Sequence, residues 1–325
     1  MLAANQGRAR MVAAGPEGGP EGGPEEGATA FSEQLSALLG EEVRLGASVR
    51  GGCIHQARSL QRPSGERLFL KLSPAERQPL LRAEVAGLQA LAAAVDPSSP
   101  LRIPEPLACA VLGDRAVLVL DWLALAPPQR SPGCDRAWHR FGAALALLHR
   151  RSAEASGAYG WEQDNWIGSA PQRNGWSTDW ARFFRDCRLA PQLDWAARRG
   201  QPLQGAAALL EQLPRWLAGH QPQPCLVHGD LWSGNGGLLA DGGGALFDPA
   251  VHQADREVDL AMAALFGGFP AAFFAGYDAT WPRPAGHQRR QRLYNLYHEL
   301  NHANLFGGGY QAQAQATIKT LLSNI

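Results

Sequence analysis

Short apolar runs separated by glycines and polar residues characterise the first part of the chain, up to Trp122. Runs of this length and composition predict β-strands. The strands that the pattern predicts are 43–49, 57–60, 67–72 and 116–120. Helical spacing of apolar residues occurs in two stretches of the same part, from Phe31 to Leu39 and between Pro74 and Val95. Several strands combined with few helices predict a small α+β lobe.

Beyond Trp122 the apolar positions follow mostly helical spacing. The helices predicted there are 138–151, 180–199, 205–217 and 289–305. The exception is a glycine-rich block, Cys225–Val251, whose pattern predicts a loop, a strand and a second loop. We therefore expect an α+β chain with two lobes, a small β-rich N-terminal lobe over 31–122 and a larger, mainly helical C-terminal lobe over 123–325. This is the layout of the protein-kinase-like fold.

The first thirty residues have a different composition from the rest of the chain. Gly, Pro, Glu and Ala dominate 1–30, and 15–24 form the near-repeat GPEGGPEGGP. Such a segment buries too little apolar surface to offset the entropy that it would lose on ordering. We expect a disordered tail without chemistry of its own.

Composition and charge exclude several classes of partner. The 325 residues are 45% hydrophobic, enough for a sizeable core, and include 30 basic and 30 acidic side chains. A formal net charge of zero argues against nucleic acid or an anionic membrane as a partner. The five cysteines are scattered without CxxC spacing, which favours reduced thiols over a metal knuckle or a disulfide framework. No apolar run has the length of a membrane span, so we expect a cytoplasmic location.

The segment HGDLWSGN at 228–235 contains residues suited to phosphoryl transfer from ATP. That reaction needs a carboxylate that orients the attacking hydroxyl and accepts its proton, together with oxygen ligands for Mg2+. Asp230 and Asn235 have the five-residue separation of the base and the metal ligand in the kinase catalytic loop. Asp248 lies thirteen residues after Asn235, beyond a predicted strand. Asp230 is therefore the predicted base, and Asn235 and Asp248 are the predicted magnesium ligands.

Each of these pieces has a simpler interpretation when it is taken alone. A His-Gly-Asp sequence is common in turns whose Asp caps a helix, and Asp-Pro is common in turns as well. His228, Asp230 and Asp248 would also suit a metal-dependent hydrolase. Their combined order and spacing favour a kinase, and a hydrolase leaves Lys71 and Glu84 of the first lobe without a role.

The N-terminal lobe supplies an independent indication. Lys71 interrupts the apolar strand FLKL, where a lysine is either an edge-strand charge or a functional cation with a partner. Glu84, in the predicted helix, is the candidate partner, because kinases require such an ion pair at the ATP phosphates. Gly51 and Gly52 lie in a loop where backbone N–H groups can approach phosphate oxygens without a Cβ in the way. An ordinary hairpin is the alternative for the loop, and a solvated helix face is the alternative for Glu84.

These residues lie in motifs that resemble the fructosamine kinase (ketosamine 3-kinase) family, a relative of the aminoglycoside and choline kinases. The matching segments are GGCIHQA (51–57), FLKL (69–72), AEVAGLQAL (83–91), DNWIGSAPQ (164–172), HGDLWSGN (228–235), DPAVHQADREVDLAM (248–262) and LYNLYHELNHANLFGGGY (293–310). They extend over essentially everything after the N-terminal tail.

The resemblance implies phosphorylation of a sugar hydroxyl in ketoamines, the fructosamine, ribulosamine or erythrulosamine adducts of amines, with ATP and Mg2+. Phosphorylation at the third sugar carbon makes such adducts labile, so the implied role is protein deglycation. The resemblance also implies that Asp121, Trp122 and Leu123 belong to the hinge that contacts adenine. A kinase for an aminoglycoside or an amino alcohol and a non-catalytic nucleotide-binding regulator are the alternatives. The ketoamine is either a small molecule or protein-bound, and the chain is a monomer or a homodimer.

Three further residues around the catalytic motif have two interpretations each. Asp259 opens an apolar helix, and we expect it to brace the catalytic loop, together with His228, rather than to act only as a charge at the helix N-terminus. Trp232 is either a core residue or a wall of the sugar pocket. His302 either packs or contacts the substrate, since no acidic or thiol residue is spaced with it as a metal ligand.

Two positions depart from the family pattern or suggest regulation. His252 follows DPAV, where family members commonly have aromatic residues. We expect it in a surface loop, and the alternative is that it alters substrate contacts. Cys53 lies in the phosphate-covering loop, where an exposed thiol would be open to oxidation. The alternative for Cys53 is a small residue that fills space.

Overall fold

The structure, a computed structural model, describes residues 25–49, 56–127, 132–153 and 157–324. The α-helices are α1 (Glu25–Leu39), α2 (Gln78–Ala94), α3 (Pro132–Ala153), α4 (Trp180–Phe183), α5 (Ala190–Arg198), α6 (Ala206–Trp216), α7 (Glu257–Leu265), α8 (Ala271–Thr280), α9 (His287–Phe306) and α10 (Gly309–Ser323). The strands are β1 (Arg44–Ser48), β2 (Gln56–Gln61), β3 (Arg67–Pro74), β4 (Leu101–Arg102), β5 (Pro106–Leu112), β6 (Arg115–Asp121), β7 (Asn165–Ile167), β8 (Ala170–Gln172), β9 (Cys225–Val227), β10 (Gly236–Leu238), β11 (Gly244–Leu246) and β12 (His252–Ala254). A 3-10 turn at Ala75–Arg77 precedes α2, and a π-helical turn at Phe184–Leu189 joins α4 to α5.

A five-stranded antiparallel sheet in the order β1-β2-β3-β6-β5 forms the small lobe. Side chains alternate between the two faces along β3. Leu68 and Leu70 pack on the face covered by α1, whereas Phe69 packs on the face covered by α2. Lys71 has the same parity as Phe69, so the strand directs its ammonium towards α2.

Helix α2 presents one face to this sheet. Leu81 and Leu88, one face of the helix at helical spacing, are fully buried among the residues of β3 and β6. Glu84 lies on the same face, three residues after Leu81, and is buried with it. The strand parity and the helix period therefore bring Lys71 and Glu84 together.

The large lobe is built mainly from helices packed around two apolar clusters. Helices α3 and α8 approach each other closely, because a glycine stands in each helix at the contact. A Cβ on Gly142 would lie 1.9 Å from the Phe273 carbonyl oxygen, and one on Gly276 would lie 1.9 Å from the His139 carbonyl oxygen. A side chain at either position would push the two helices apart.

Short strands surround the catalytic segments of the large lobe. β9 and β12 pair antiparallel and so bring the chain before HGDLWSGN beside the chain after DPAV. Along the chain between β9 and β12, β10 and β11 form a hairpin. Strand β4, which follows helix α2, pairs parallel with β11. The two motifs that carry the predicted chemistry are thus held by the same pair of strands.

The predicted two-lobed α+β arrangement is confirmed, with local differences. Helix α1 begins at Glu25, inside the predicted tail, because Phe31 and Leu35 anchor it to the sheet; residues 1–24 lie outside the described part. Helices α8 and α10 and strand β5 had no prediction. The boundary between 122 and 123 stays a prediction. Among the described residues, no helix combines the length and the apolar character that crossing a membrane would require.

Candidate active site

The catalytic loop holds Asp230 and Asn235 side by side. Asn235 Nδ2 donates to the Asp230 carboxylate and to the Asp230 backbone carbonyl, both at 3.0 Å, and it lies 3.4 Å from the Asp248 carbonyl oxygen. Asp248 itself has a φ of 56°, the only positive φ among the described residues other than glycine. The Asn235 amide therefore contacts both Asp230 and the backbone of Asp248.

Asp259, on helix α7, binds the first residues of this loop. Its carboxylate is fully buried and accepts hydrogen bonds from the backbone N–H groups of His228 at 2.7 Å and Gly229 at 2.8 Å. The ring of His149 lies 3.2 Å from the same carboxylate and 2.8 Å from the Tyr277 hydroxyl. Burial alone would raise the pKa of Asp259, but these hydrogen bonds and the neighbouring histidines outweigh burial and lower it. Asp259 thus lies where a residue bracing the loop must lie.

Lys71 makes two ion pairs that join the small lobe to the catalytic segments. Its ammonium lies 2.6 Å from Glu84 and also contacts Asp248. Burial alone would lower the pKa of Lys71, but the charges of Asp248 and Glu84 outweigh burial and raise it. Burial and the nearby charge of Asp248 raise the pKa of Glu84, against the opposing charge of Lys71. One ammonium cannot fully compensate two carboxylates. The sequence predicted the Lys71–Glu84 pair, and the contact with Asp248 is new.

Asp230 has the electrostatics of a proton acceptor. Burial, followed by the charge of Asp248, raises the pKa of Asp230 to about 7, against the opposing hydrogen bond from Asn235. A carboxylate with a pKa near the working pH accepts a proton more readily than an ordinary aspartate does. Aspartate and asparagine oxygens are also the ligands that Mg2+ prefers. The donor set of Asp248 and Asn235 fits a magnesium ion.

The predicted hinge lies at the end of β6. The Asp121 carboxylate accepts a hydrogen bond from the backbone N–H of Glu105. The Trp122 ring lies 4.3 Å from the Arg67 guanidinium and 6.2 Å from the Phe69 ring. Leu123 packs on a small apolar cluster that includes residues of the β10–β11 hairpin. The hinge segment thus touches both lobes.

Trp232 and His302 belong to one chain of aromatic contacts. The Trp232 ring lies 6.3 Å from Phe266, and Phe266 lies 4.9 Å from His302. His302 also contacts Phe306 at 5.6 Å and Tyr310 at 5.1 Å. Phe266 therefore connects His302 to Trp232 of the catalytic loop.

Three predicted site residues lie outside the described residues. They are Gly51, Gly52 and Cys53, the loop assigned to the ATP phosphates and the thiol within it. Their proposed roles stay predictions.

The expectation for His252 was wrong. His252 is 3% exposed, lies on β12 opposite Val227, and stacks on the Phe183 ring at 6.0 Å. Burial lowers the pKa of His252 well below its ordinary value, so the ring is neutral. The pairing of β12 with β9, which the local sequence does not show, turns this position inwards. His252 takes the place of a core aromatic residue.

A network that the sequence interpretation missed holds the segment after Asp248. Asn165 Nδ2 donates to the Val251 carbonyl at 2.8 Å, and Gln172 Nε2 donates to the Ala250 carbonyl at 3.1 Å. The Tyr297 hydroxyl donates to Gln172 Oε1 at 2.8 Å. The two amide side chains of the short DNWIGSAPQ segment were the available indication. The DNWIGSAPQ motif thus has a structural connection to the catalytic segment.

A second group of candidate metal ligands is already paired within the protein. His220, Asp255 and Glu257 lie close enough for one ion. However, His220 Nε2 lies 2.6 Å from Asp255, and Arg290 binds both oxygens of Glu257 at 2.7 Å. These contacts make an ion-pair network, and nothing in it indicates a metal.

Comparisons with known proteins define the class and the family. Residues 28–324 match the family model described as fructosamine kinase. A relative from Synechocystis sp. named "Probable ketoamine kinase" is 43% identical over 293 residues, which are 90% of this chain and 95% of the relative. The crystal structure of a Thermobifida fusca protein with a provisional fructosamine-3-kinase assignment has a TM-score of 0.78 at 30% identity, covering 90% of this chain and 99% of that one.

An aminoglycoside phosphotransferase crystallised with ADP and hygromycin B extends the comparison to the fold. Its TM-score is 0.61 at 17% identity, with 90% of this chain and 98% of that chain covered. The fold is that of the kinase-like phosphotransferases, as predicted, and such enzymes use ATP as the phosphoryl donor. The chain belongs to the fructosamine kinase family.

Proposed function

We propose that this chain phosphorylates a sugar hydroxyl of small-molecule ketoamines, with ATP as the donor and Mg2+ as the cofactor. Membership of the fructosamine kinase family supports the reaction class. Within the site, one observation carries the proposal: the Lys71–Asp248 ion pair lies beside the hydrogen-bonded Asp230 and Asn235. A cation, a base and two oxygen ligands at one point are what phosphoryl transfer requires.

Asp230 acts as the base. It accepts a hydrogen bond from the attacking sugar hydroxyl and takes the proton as the γ-phosphoryl group moves across. The Nδ2 hydrogen bond from Asn235 fixes the orientation of the carboxylate. The elevated pKa of Asp230, about 7, suits a group that must accept a proton near neutral pH.

Lys71 and Glu84 position the ATP phosphates. Glu84 holds the Lys71 ammonium at 2.6 Å, so the cation is fixed before the nucleotide binds. Asp248 and Asn235 would hold the magnesium ion. When bound, Mg2+ supplies charge neutralisation at the phosphate oxygens. Asp121, Trp122 and Leu123 would contact the adenine at the hinge.

Trp232 lies two residues after Asp230 in the catalytic loop. We propose that its partly buried ring forms a wall of the sugar pocket, with His302 behind it through Phe266. His228 and Asp259 have structural roles, because they hold the loop on which Asp230 lies.

A repair role and a reducing location complete the proposal. Phosphorylated ketoamines are labile, so the activity would remove glycation adducts from amines. None of the cysteines that the structure describes forms a disulfide, which supports a reducing compartment such as the cytoplasm.

The test is ADP release with magnesium and ATP on a panel of compounds: fructosyl-, ribulosyl- and erythrulosyl-lysine beside an aminoglycoside and choline. We expect turnover on a ketoamine, and a loss of about two or more orders of magnitude in Asp230→Asn. Asp194→Asn, an exposed position on α5, is the matched control and should leave turnover unchanged. Turnover on the aminoglycoside or choline alone would refute the ketoamine assignment, and ATP binding without turnover would favour a regulatory protein.

A further inference from the structure

The backbone that follows Asp248 decides how this predicted metal ligand is oriented. Asp248 has a φ of 56°, and a residue other than glycine keeps such a conformation only where the surrounding structure imposes it. The next residue, Pro249, has no N–H group to contribute. The backbone N–H of Ala250 donates to the His228 carbonyl of the catalytic loop at 2.8 Å. The orientation of Asp248 therefore depends on what holds the peptide groups of Ala250 and Val251.

Two amide side chains of the DNWIGSAPQ motif hold these peptide groups. Gln172 Nε2 donates to the Ala250 carbonyl at 3.1 Å, and Asn165 Nδ2 donates to the Val251 carbonyl at 2.8 Å. Gln172 Nε2 also donates to Asn165 Oδ1 at 2.8 Å, so the two amides are joined to each other. Both side chains are buried, where a hydrogen bond is stronger than it is in water. The motif thus supports the backbone that follows a predicted metal ligand.

A buried arginine fixes the orientation of Asn165. An amide can present either its oxygen or its NH2 group to a neighbour, so its direction depends on its partners. Arg188 is fully buried and carries only donors, and its Nη2 lies 2.8 Å from Asn174 Oδ1. Asn174 must then present Nδ2 to Asn165, whose Oδ1 lies at 2.7 Å. Asn165 in turn directs its own Nδ2 to the Val251 carbonyl, which can only accept.

The Tyr297 hydroxyl fixes the orientation of Gln172 in the same way. It donates to Gln172 Oε1 at 2.8 Å, which leaves Gln172 Nε2 for the Ala250 carbonyl. Burial raises the pKa of Tyr297 to about 12, so the hydroxyl keeps its proton near neutral pH. The Gln192 side chain donates a hydrogen bond to the same hydroxyl oxygen, and the hydroxyl proton is left for Gln172. Helix α9 thereby controls the peptide group two residues after Asp248.

We propose that Asn165 and Gln172 are positioning residues of the reaction. They hold the backbone after Asp248 so that its carboxylate stays in place to bind the metal, and Tyr297 keeps Gln172 in the required orientation. Removing a group that orients a metal ligand from behind typically changes metal affinity by about 10–100-fold. This inference rests on the proposed function, because it assigns these residues to the magnesium site of that reaction.

The test measures metal affinity directly, with Mn2+ as a paramagnetic probe that prefers the same oxygen ligands as Mg2+. Electron paramagnetic resonance follows free Mn2+ during titration of the full chain and AMP-PNP, with the protein in molar excess over this uncleaved ATP analogue. Gln172→Met and Asn165→Leu each remove the donor to one carbonyl and should weaken Mn2+ binding by about tenfold. Tyr297→Phe removes a single hydroxyl and should weaken Mn2+ binding roughly threefold. The Mg2+ concentration for half-maximal turnover should rise by the same factors.

Matched controls separate positioning from stability. Tyr294→Phe makes the same change on the same helix and removes a buried hydroxyl that donates to Asp255 at 2.6 Å. A hydrogen bond to a carboxylate is stronger than one to an amide, so Tyr294→Phe should lose at least as much stability in urea unfolding as Tyr297→Phe does. Its Mn2+ affinity should nevertheless stay unchanged. Gln163→Met, at an exposed position beside the motif, is the control for Gln172→Met.

The outcomes also separate this inference from the proposed function. Unchanged Mn2+ affinity in Gln172→Met, or a loss of affinity in Tyr294→Phe as large as that in Tyr297→Phe, would overturn the positioning role and leave the kinase activity intact. If Gln172→Met does not fold, the comparison of the two tyrosine variants decides alone. If the wild type phosphorylates no ketoamine, the proposed function fails, but the Mn2+ titration still decides this inference. A selective loss of affinity then supports it, and equal affinities or an absence of Mn2+ binding refute it.

Discussion

Replacing Asp259 with alanine removes the acceptor that holds the first residues of the catalytic loop. Three hydrogen bonds end on this fully buried carboxylate, from the backbone of His228 and Gly229 and from the ring of His149. Hydrogen bonds to a charged group contribute about 1.5–3 kcal/mol each, but three bonds that share one acceptor are not additive. We expect the free energy of unfolding to fall by about 3–5 kcal/mol, because the buried N–H groups of His228 and Gly229 and the His149 ring lose their acceptor. Asp259→Asn keeps one acceptor oxygen and should lose less.

Urea unfolding of the wild type, Asp259→Asn and Asp259→Ala would measure this loss. A lower midpoint at an unchanged slope reports stability alone. Asp194→Ala, at an exposed position on α5, is the control and should stay within about 0.5 kcal/mol of the wild type. A loss below about 1 kcal/mol in Asp259→Ala, or a larger loss in Asp259→Asn, would refute the assignment of this residue as the brace of the loop.

Three further predictions concern the base, the cation and the backbone of the loop. The pKa of Asp230 is about 7, and the ionised carboxylate is the base. In a pH–rate series, turnover should therefore fall about tenfold per pH unit below pH 7. A rate that stays constant down to pH 5 would contradict this. Glu84→Gln leaves Asp248 as the only carboxylate of the two beside Lys71, so KM for ATP should rise roughly tenfold. The circular dichroism spectrum should stay unchanged. An unchanged KM would argue against the positioning role of Glu84. In Gly229→Ala, at a φ of 82°, the new Cβ would lie 2.1 Å from the Ala250 carbonyl oxygen. Thermal unfolding should therefore show a much larger loss of stability than in Gly200→Ala, where the φ is 74° but a Cβ would meet open space. Similar losses of stability in the two variants would refute the close-approach argument.

The local chemistry of the site could be predicted from the sequence. The separation of Asp230 and Asn235 is set by a single loop, so counting residues was enough to pair them. The parity of β3 and the helical period of α2 likewise placed Lys71 and Glu84 on facing surfaces. Each of these relations depends on elements with a fixed geometric repeat, and the sequence displays that repeat directly.

Long-range pairing accounts for most of what was missed. The contact between Lys71 and Asp248 joins residues 177 positions apart, and no local pattern indicates which carboxylate an ammonium will meet. The inward position of His252 follows from the pairing of β12 with β9. Helix α9 is buried over most of its surface, so it lacks the amphipathic contrast that would have shown which side faces α10.

The sequence by itself determined the fold class and the family and predicted the catalytic residues, because motif order and periodicity are properties of the chain. Only the tertiary structure decided that the His149 ring supports Asp259 beside the catalytic loop and that Glu299 and Asn295 are buried in the wall of a cleft between α9 and α10. Burial and the partners of a polar group depend on which distant elements pack against it, and the free energy of that packing belongs to the folded chain as a whole.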